Sequence, residues 1–308
     1  MLVTIVHSIS LEVIDQASVY IKHVIKTQKN VISFIADKRG DSYLIKQNNK
    51  KKNGVFSLNS QFKMVRELFG SLVVQYLGIK GHRVCLIPAG MPYPGKQYAA
   101  LLATLHSIVP GSSLSKSYKR LYRNVFIKQW SLGRGRKLKN CGLSLEVIHS
   151  MAMHSMLPDI VALDTYIGNN DRSRSNLFEH NNILYVIDMD CSLSYNLAYL
   201  ACCQLITLKN NNCLNPPELA ALKHYRYALE RYVKKCRIEN LRALFDNACA
   251  QAGFIEGGVF AQGLHLVHKH RQILEENYQS VLELIEVLRS FEDDYSVQNA
   301  LPYALHKI

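Results

Sequence analysis

The sequence predicts an α+β protein, in which a small antiparallel sheet with one key helix precedes a mainly helical half. Two features of the apolar pattern lead to this class. Between Gln16 and Gln47, short apolar runs alternate with polar breaks and with a turn that ends at Gly40, which is typical of an antiparallel meander. Beyond Asp190, apolar residues recur at helical spacing and no strong β pattern follows. With 308 residues, 48% of them hydrophobic, the chain can bury a sizeable core in one large domain or two subdomains.

The first half is expected to hold the strands and the key helix. Its apolar runs predict strands at residues 19–25, 31–36, 43–45 and 84–87. A helical apolar stripe starts after Asn59 or Ser60, either of which can cap it, and Gly78 can end the helix in a left-handed turn. A further apolar run at 98–105 leads into a connector, which we place at about 104–111.

Helices are expected to dominate the second half. The apolar spacing predicts them at residues 145–155, 158–167, 216–235, 239–252 and 262–291. Ser144 can cap the first, and Pro158 suits the opening turn of the second. Residues 177–179 and 183–187 predict a hairpin, because the Asn residues of the intervening turn, 180–182, tolerate left-handed backbone.

The composition narrows the class of protein. Eight cysteines occur without a Cys-x-x-Cys pair, which argues against a zinc site or a disulfide framework and predicts a reducing, cytoplasmic location. The apolar runs fall short of the ~20 residues of a transmembrane helix. The start lacks the features of a signal peptide, although export by another route stays open. A formal charge of +13 favours an anionic partner, but without a recognised module nucleic acid is not expected to be one.

Three polar side chains between Gly168 and Asp190 indicate a centre for phosphoryl transfer. Asp171 is followed five positions later by Asn176, which is the spacing of Asp and Asn in the kinase catalytic loop. Asp188 comes twelve positions after Asn176, and the predicted hairpin would bring it back beside the loop. Phosphoryl transfer requires a carboxylate near the acceptor hydroxyl and separate oxygen ligands for Mg²⁺, and these residues can supply both.

A lysine and a glutamate in the first half support this interpretation. Lys46 follows the third predicted strand, and Glu67 lies in the predicted helix, next to the small residues Gly70 and Ser71, where another element can approach closely. An ion pair between Lys46 and Glu67 would hold an ammonium group in place for nucleotide phosphates, as the corresponding pair does in protein kinases. The two halves would then form one nucleotide site.

Together these segments resemble the HipA-like kinases, which are related to the phosphatidylinositol kinases. Gly168-Asn-Asn-Asp171-Arg172 with Asn176, and Tyr185-Val-Ile-Asp188, look like the family's Asn-x-Asp-Arg-His-x-x-Asn and Ile-Asp-x-Gly motifs. The first half contributes three further similar segments, which are Tyr43-Leu-Ile-Lys46, Arg66-Glu67-Leu68 and Tyr76-Leu-Gly-Ile79. The similarity covers residues 16–195, and the remainder agrees only in being helical.

The resemblance implies a two-lobed protein kinase-like fold that uses ATP and Mg²⁺. The expected N-lobe is 1–107, and the expected C-lobe is 108–308 with the catalytic loop 168–176. Carried over by position, Asp171 would be the base, Asn176 and Asp188 the metal ligands, and Lys46 the phosphate contact anchored by Glu67. The family further implies transfer to a protein Ser/Thr hydroxyl and an antitoxin-like or activating protein partner.

The sequence departs from the family pattern at three places. Ser173 replaces the family's His, and Asp190 replaces its Gly, which makes Asp190 an additional or alternative metal ligand. The phosphate-covering loop, placed at 26–30, contains no glycine, so Lys26, Lys29 or an activator would have to compensate. Two alternatives therefore stay open: a kinase for an inositol lipid or inositol phosphate, which the positive charge favours, and a pseudokinase-type binding module without turnover.

Overall fold

The structure is a computed structural model that describes residues 20–26, 30–36, 41–48, 51–52, 55–87, 102–113, 143–172, 176–211 and 214–305. Contacts within the chain define two compact units. The first comprises the described parts of Met1–Ser113 and Ser175–Ser192 together with Glu239–Gln272, and the second comprises the described parts of the rest. The first unit takes segments from either side of residue 107, whereas the second lies wholly after it, and the predicted lobe boundary at 107 stays a prediction.

A five-stranded antiparallel sheet forms the centre of the first unit, in the order β1-β2-β3-β7-β6. Its strands are β1 (Tyr20–Lys26), β2 (Asn30–Ala36), β3 (Ser42–Asn48), β6 (Val84–Ile87) and β7 (Ala103–Ser107). The predicted meander is thereby confirmed. The predicted start of the connector is wrong, because Thr104–Ser107 is a strand that pairs with both β3 and β6. Two short strands, β4 (Lys51–Lys52) and β5 (Val55–Phe56), pair separately.

Alternation along the strands separates an apolar core from a second, more polar face. One face buries Ile35, Ile45, Cys85, Ile87, Ala103 and Leu105 in a common cluster. Because successive side chains point to opposite faces of a sheet, Lys46 lies on the other face. Its cross-strand neighbours there are Ile32 and Thr104. The strand pattern therefore places the charged side chain of Lys46 against the element that covers this face.

Helix α1 (Leu58–Leu77) covers part of the sheet and is buried along most of its length. Ser57, rather than the predicted Asn59 or Ser60, is its N-cap, and the predicted end at Gly78 is confirmed by a left-handed φ of 77°. Phe62 contacts Phe245 and Phe254 edge to face, with ring centroids 6.4 and 5.0 Å apart. The helix is therefore fixed between the sheet and the 239–272 segment, which contains most of α6 (Ile238–Gln251).

The predicted hairpin is present as β9 (Leu177–His180) and β10 (Ile183–Val186). Its turn residues Asn181 and Asn182 have φ values of 51° and 60°, the left-handed conformation that Asn was expected to supply. A short strand, β8 (Ser112–Ser113), pairs with β9. A bridge between Gly81 and Val186 joins the hairpin to the residues before β6. The hairpin therefore leads directly to Asp188 within the first unit.

The second unit is helical. Its helices are α2 (Leu145–Ala152), α3 (Leu157–Ile167), α4 (Leu197–Asn211), α5 (Pro216–Lys235) and the described part of α7 (Leu264–Leu305) from residue 273. Asn215 and Glu218 form a capping box at the start of α5. Asn277 donates two hydrogen bonds to the carbonyls of Thr165 and Tyr166, at 2.9 and 3.0 Å, and so fixes the end of α3.

Membrane-spanning helices and disulfides are both absent from the described residues. Among the described residues, no helix combines the length and the apolar character needed to cross a membrane. No disulfide joins the cysteines within the same residues, which are Cys85, Cys191, Cys202, Cys203, Cys236 and Cys249.

Gly70→Ala should destabilise the protein, although Gly→Ala inside a helix ordinarily stabilises by about 1 kcal/mol. A Cβ at Gly70 would lie 2.5 Å from Ser192 Oγ and 2.6 Å from Met189 Cβ, which confirms the predicted close approach at this position. We expect the free energy of unfolding in urea to fall by roughly 1–3 kcal/mol. The exposed Lys269→Ala, in the same unit, should change it by less than about 0.5 kcal/mol. A more stable Gly70→Ala protein would contradict this packing.

His270 should make stability depend on pH between about 6.5 and 4. Its ring is buried against Phe62, and this burial, with the nearby Arg66 and Lys269 charges, lowers its pKa to about 4. Between the unfolded pKa of about 6.5 and this value, the unfolded chain binds more protons, so the free energy of unfolding falls as pH falls. The expected loss approaches about 1.4 kcal/mol per pH unit.

The measurement is urea unfolding at pH 7 and pH 4.5 for wild type and His270→Leu. The variant should lose roughly 2–3 kcal/mol less over this interval, because its side chain has no proton to bind. His224→Leu, at an exposed histidine of the second unit, should behave like wild type. Equal losses in wild type and His270→Leu would refute the role of His270.

Candidate active site

The predicted ion pair between Lys46 and Glu67 is present. Lys46 Nζ donates to Glu67 Oε2 at 2.9 Å, and the exposed fractions of the two side chains are 7% and 0%. Strand β3 supplies the lysine from the polar face of the sheet, and α1 supplies the glutamate from its sheet-facing side. A buried carboxylate is tolerated only with charged or hydrogen-bonding partners, so the pair fixes α1 against β3.

Glu67 also holds the segment that follows β10. Its Oε1 accepts a hydrogen bond from the Met189 backbone N–H at 2.9 Å. His82 Nε2 lies 3.2 Å from the same oxygen. One carboxylate therefore contacts the strand that carries Lys46, the residue after Asp188, and the loop before β6.

The electrostatics of the pair keep both groups charged. Burial acts to lower the pKa of Lys46, but the Glu67, Asp188 and Asp190 carboxylates outweigh it and raise that pKa well above its usual range. Burial acts to raise the pKa of Glu67, but the Lys46 ammonium and the His82 contact hold it well below its usual range. The pair therefore places a cation next to an anion at neutral pH.

Asp188 and Asp190 also contact Lys46. Asp188 Oδ1 accepts from Lys46 Nζ at 2.5 Å, and Asp190 Oδ2 lies 3.4 Å from the same nitrogen. Displacement of water raises the pKa of Asp188 to about 6, against the opposing effect of Lys46 and with a further contribution from Asp190. Asp188 has a φ of 59°, a left-handed conformation that is uncommon outside glycine and is often found at functional sites.

The donor set around Lys46 fits a divalent cation that prefers oxygen. Carboxylate oxygens of Glu67, Asp188 and Asp190 lie within 4.8 Å of one another. Mg²⁺ is bound through one or two carboxylates together with phosphate oxygens, and Asp188 and Asp190 can supply those carboxylates. Because Glu67 already binds Lys46 and Met189, we regard it as the anchor and not as a metal ligand.

Asn176 lies at the base of the hairpin that leads to Asp188. Its backbone carbonyl accepts a hydrogen bond from Ile187 N–H at 3.1 Å, and the residue is 9% exposed. The hairpin thus ties the position of Asn176 to the residue immediately before Asp188. Ser173, where the sequence leaves the family motif, lies outside the described residues.

Asp171 belongs to the second unit, where a buried carboxylate fixes its loop. Arg172 donates to Asp164 through Nε and Nη2, at 2.9 and 2.8 Å, and Asn169 Nδ2 donates to the same carboxylate at 2.9 Å. Gly168 ends α3 with a left-handed φ of 64°. Asp171 itself is exposed, and its backbone N–H donates to Asn169 Oδ1 at 3.4 Å. These contacts anchor the loop that carries the exposed Asp171.

A cavity of about 280 Å³ opens beside Lys46 in the first unit. Its lining combines apolar residues with the charged groups just described, and comprises Ile32, Phe34, Leu44, Lys46, Glu67, His82, His106, Ser107, Ile108, Val109, Phe178, Ile187 and Asp188. The volume lies near the lower end of the range for small-molecule sites, roughly 300–1,000 Å³. An apolar slot that ends in a lysine and carboxylates suits a flat aromatic ligand with an anionic tail.

The structure brings together Lys46, Glu67 and Asp188 of the predicted site with Asp190, the predicted additional or alternative metal ligand. Sequence reasoning missed His82 and His106, which lie behind Glu67, and Asp164, which anchors the Asp171 loop. Asp164 had a detectable signal, because a carboxylate within the apolar turn of a helix requires a partner. The two histidines had none, since they meet only through tertiary packing.

Comparison with known proteins supports the fold. No protein-family model and no curated protein matches the chain. Among solved structures, a proinflammatory kinase of Helicobacter pylori, CtkA, is similar with a TM-score of 0.50 and 15% identity, over 89% of this chain and 96% of that one. Weaker similarity is found to the Rio2 kinase of Chaetomium thermophilum, with a TM-score of 0.39 and 9% identity over 88% and 73% of the two chains.

At 15% identity, the similarity to CtkA shows the fold alone. The small antiparallel sheet, its one long helix and the mainly helical remainder match that structure over most of both chains. The chain therefore has the protein kinase-like α+β fold that its sequence predicts.

Proposed function

We propose that the chain is an ATP-dependent phosphotransferase that acts on an alcohol group, and that it is a HipA-like protein Ser/Thr kinase. The observation that carries the proposal is the buried Lys46–Glu67 pair, with Asp188 beside it, at the charged end of an apolar cavity. A structural ion pair alone would not require a second carboxylate or an adjoining cavity. The nucleotide class follows from this combination of an apolar slot and a cation.

Each end of the cavity has its own part in the proposal. The apolar side chains, among them Ile32, Leu44 and Ile187, would receive the adenine ring. Lys46 would turn from Asp188 toward the phosphates while Glu67 continues to hold it through the 2.9 Å contact. The ammonium would then neutralise charge on the phosphates as the transferred group leaves.

Metal binding is assigned to Asn176 and Asp188, with Asp190 as a further oxygen donor. Mg²⁺ held there would neutralise phosphate charge, which is the chemistry that kinases require of it. Asp190 takes the position where the resembling family has glycine, so this chain has an extra carboxylate for that task.

The base is assigned to Asp171 because of its motif and its exposed position in the anchored loop. In the proposed step the acceptor hydroxyl oxygen forms a bond to the γ-phosphorus, while the bond from that phosphorus to the β–γ bridging oxygen breaks. The hydroxyl proton passes to the Asp171 carboxylate, and ADP carries away the electron pair of the broken bond. The Asp164 anchor would keep Asp171 oriented during this transfer.

Two other functions share the site. An inositol lipid or inositol phosphate as acceptor is favoured by the +13 charge, which attracts anionic substrates. A nucleotide-binding pseudokinase is favoured by the glycine-free segment 26–30, which has less freedom to wrap phosphate than a glycine-rich loop has. In the first alternative the γ-phosphate passes to an inositol hydroxyl, and in the second it is not transferred.

Radiolabelled ATP with Mg²⁺ tests turnover. Wild type should transfer label to itself or to a protein in an added lysate, which would also supply an activating or antitoxin-like partner. Asp171→Asn should lower the transfer by about 10²–10⁴-fold, because general base catalysis is lost. Glu256→Gln, at an exposed carboxylate, should leave it unchanged. Retained transfer in Asp171→Asn would remove Asp171 from the mechanism.

The acceptor in the same assay separates the three functions. Label in inositol lipid or inositol phosphate, but not in protein, would identify the alternative kinase. Thermal stabilisation by ATP with Mg²⁺, without any transfer, would identify the binding module.

Lys46→Met tests the nucleotide site independently of turnover. Because a hydrogen bond to a charged group contributes about 1.5–3 kcal/mol, ATP affinity should fall at least about 10-fold, while adenosine affinity should stay close to that of wild type. Equilibrium binding measures both, and thermal melting checks that the variant is folded. Lys269→Met, at an exposed lysine of the same unit, is the matched control. Unchanged ATP affinity in Lys46→Met would refute the assignment of this cavity.

A further inference from the structure

Two histidines that the proposed reaction does not use lie directly behind Glu67. His82 precedes β6 and His106 lies on β7, and each is 5% exposed. Their rings meet edge to face, with centroids 4.7 Å apart. Buried histidines of this kind require partners, and the partners show what the pair can do.

The contacts of the pair form a closed ring that begins and ends at Lys46. Lys46 Nζ donates to Glu67 Oε2, and His82 Nε2 lies 3.2 Å from Glu67 Oε1. His82 packs on His106, whose Nε2 lies 2.7 Å from Thr104 Oγ1. Thr104 Oγ1 in turn donates to the backbone carbonyl of Lys46 at 3.3 Å. Each member is buried, so both ends of Lys46 are held by one connected set of side chains.

Burial determines the charge of His106. Its Nε2 and Thr104 Oγ1 lie 2.7 Å apart and share one hydrogen bond, whose donor depends on the tautomer of the ring. Burial, with smaller contributions from His82 and Lys46 and against Glu67, keeps the pKa of His106 well below its usual range. His106 is therefore neutral at pH 7 and adds no second cation beside Lys46.

His82 then contacts Glu67 on the side away from Lys46. Its Nε2 is close to Oε1, but no described acceptor is aligned with it for a regular hydrogen bond. The contact is mainly electrostatic, between a ring N–H and an anionic oxygen that also accepts the Met189 N–H. Without the His82 ring, Glu67 Oε1 would contact only the Met189 N–H, and the carboxylate could rotate about the Cγ–Cδ bond.

We propose that His82, supported by His106, is a positioning residue that holds the Glu67 carboxylate in the orientation that presents Lys46 to nucleotide phosphates. This inference rests on the proposed nucleotide site. It identifies His82 as a residue that determines the affinity of that site for phosphate. His82 does not touch the reacting atoms. His82 lines the cavity beside Glu67, so its effect passes through Glu67 to Lys46 and acts on ligands with phosphates more than on adenosine.

The test compares ATP, in the presence of Mg²⁺, with adenosine in equilibrium binding to the full chain. His82→Leu keeps most of the volume and removes the N–H, so it should lose about 10-fold in ATP affinity and little in adenosine affinity. His82→Gln places an amide N–H near the position of Nε2 and should restore most of the affinity. His82→Asn places its amide near the position of Nδ1 and should not. His224→Leu should leave both affinities unchanged.

The outcomes separate a failure of this inference from a failure of the proposed function. Unchanged ATP affinity in His82→Leu, or equal losses for ATP and adenosine together with a lower melting temperature, would overturn the positioning role. If His82→Leu does not fold, the comparison of His82→Gln with His82→Asn decides, and equal ATP affinities in the two would overturn it. A wild-type protein that binds ATP no better than adenosine would overturn the proposed nucleotide site, and the inference with it.

Discussion

The fully buried carboxylate of Glu67 is the constraint on which the first unit depends. Removing a charged carboxylate from water costs several kcal/mol, so it must be compensated by partners on every side. Lys46 supplies the charge, and the Met189 N–H supplies a backbone donor. Since these partners belong to β3 and to the segment after β10, meeting the needs of one side chain also fixes the relative positions of α1, the central strand and Asp188.

The second unit uses the same physical solution around Asp164. This carboxylate accepts from the Arg172 guanidinium and from Asn169 Nδ2, and it thereby holds a loop whose backbone would otherwise lack regular structure. A bidentate contact between arginine and a carboxylate fixes orientation as well as distance. The residue proposed as base, Asp171, lies between Asn169 and Arg172, which both bind Asp164.

The parts of the fold and site that could be predicted from the sequence are those set by local pattern. The apolar run at 43–45 predicted the strand beside Lys46, and the helical apolar stripe before Gly78 predicted the helix that carries Glu67. The Asn-containing turn predicted the hairpin because left-handed backbone is cheap for Asn. Each of these inferences needs only neighbouring residues.

The errors and omissions have equally definite causes. Ser57, Asn59 and Ser60 can all cap a helix, and tertiary packing of α1 selected the first. The connector was placed too early because an apolar run does not distinguish a strand from its surroundings, and pairing with both neighbours made 104–107 a strand. His82 and His106 could not have been predicted, because 24 residues separate them and only the register of β6 with β7 brings the segments together.

The left-handed backbone at Asp188 limits how this position can change over evolutionary time. Among residues with side chains, Asn and Asp adopt such a φ most readily, so most replacements would strain the turn as well as remove the charge. Exchange of Asp for Asn is the exception, since it replaces one oxygen by an amide nitrogen and keeps the shape. Asp188→Asn would therefore remove one charge beside Lys46 while it keeps the left-handed turn.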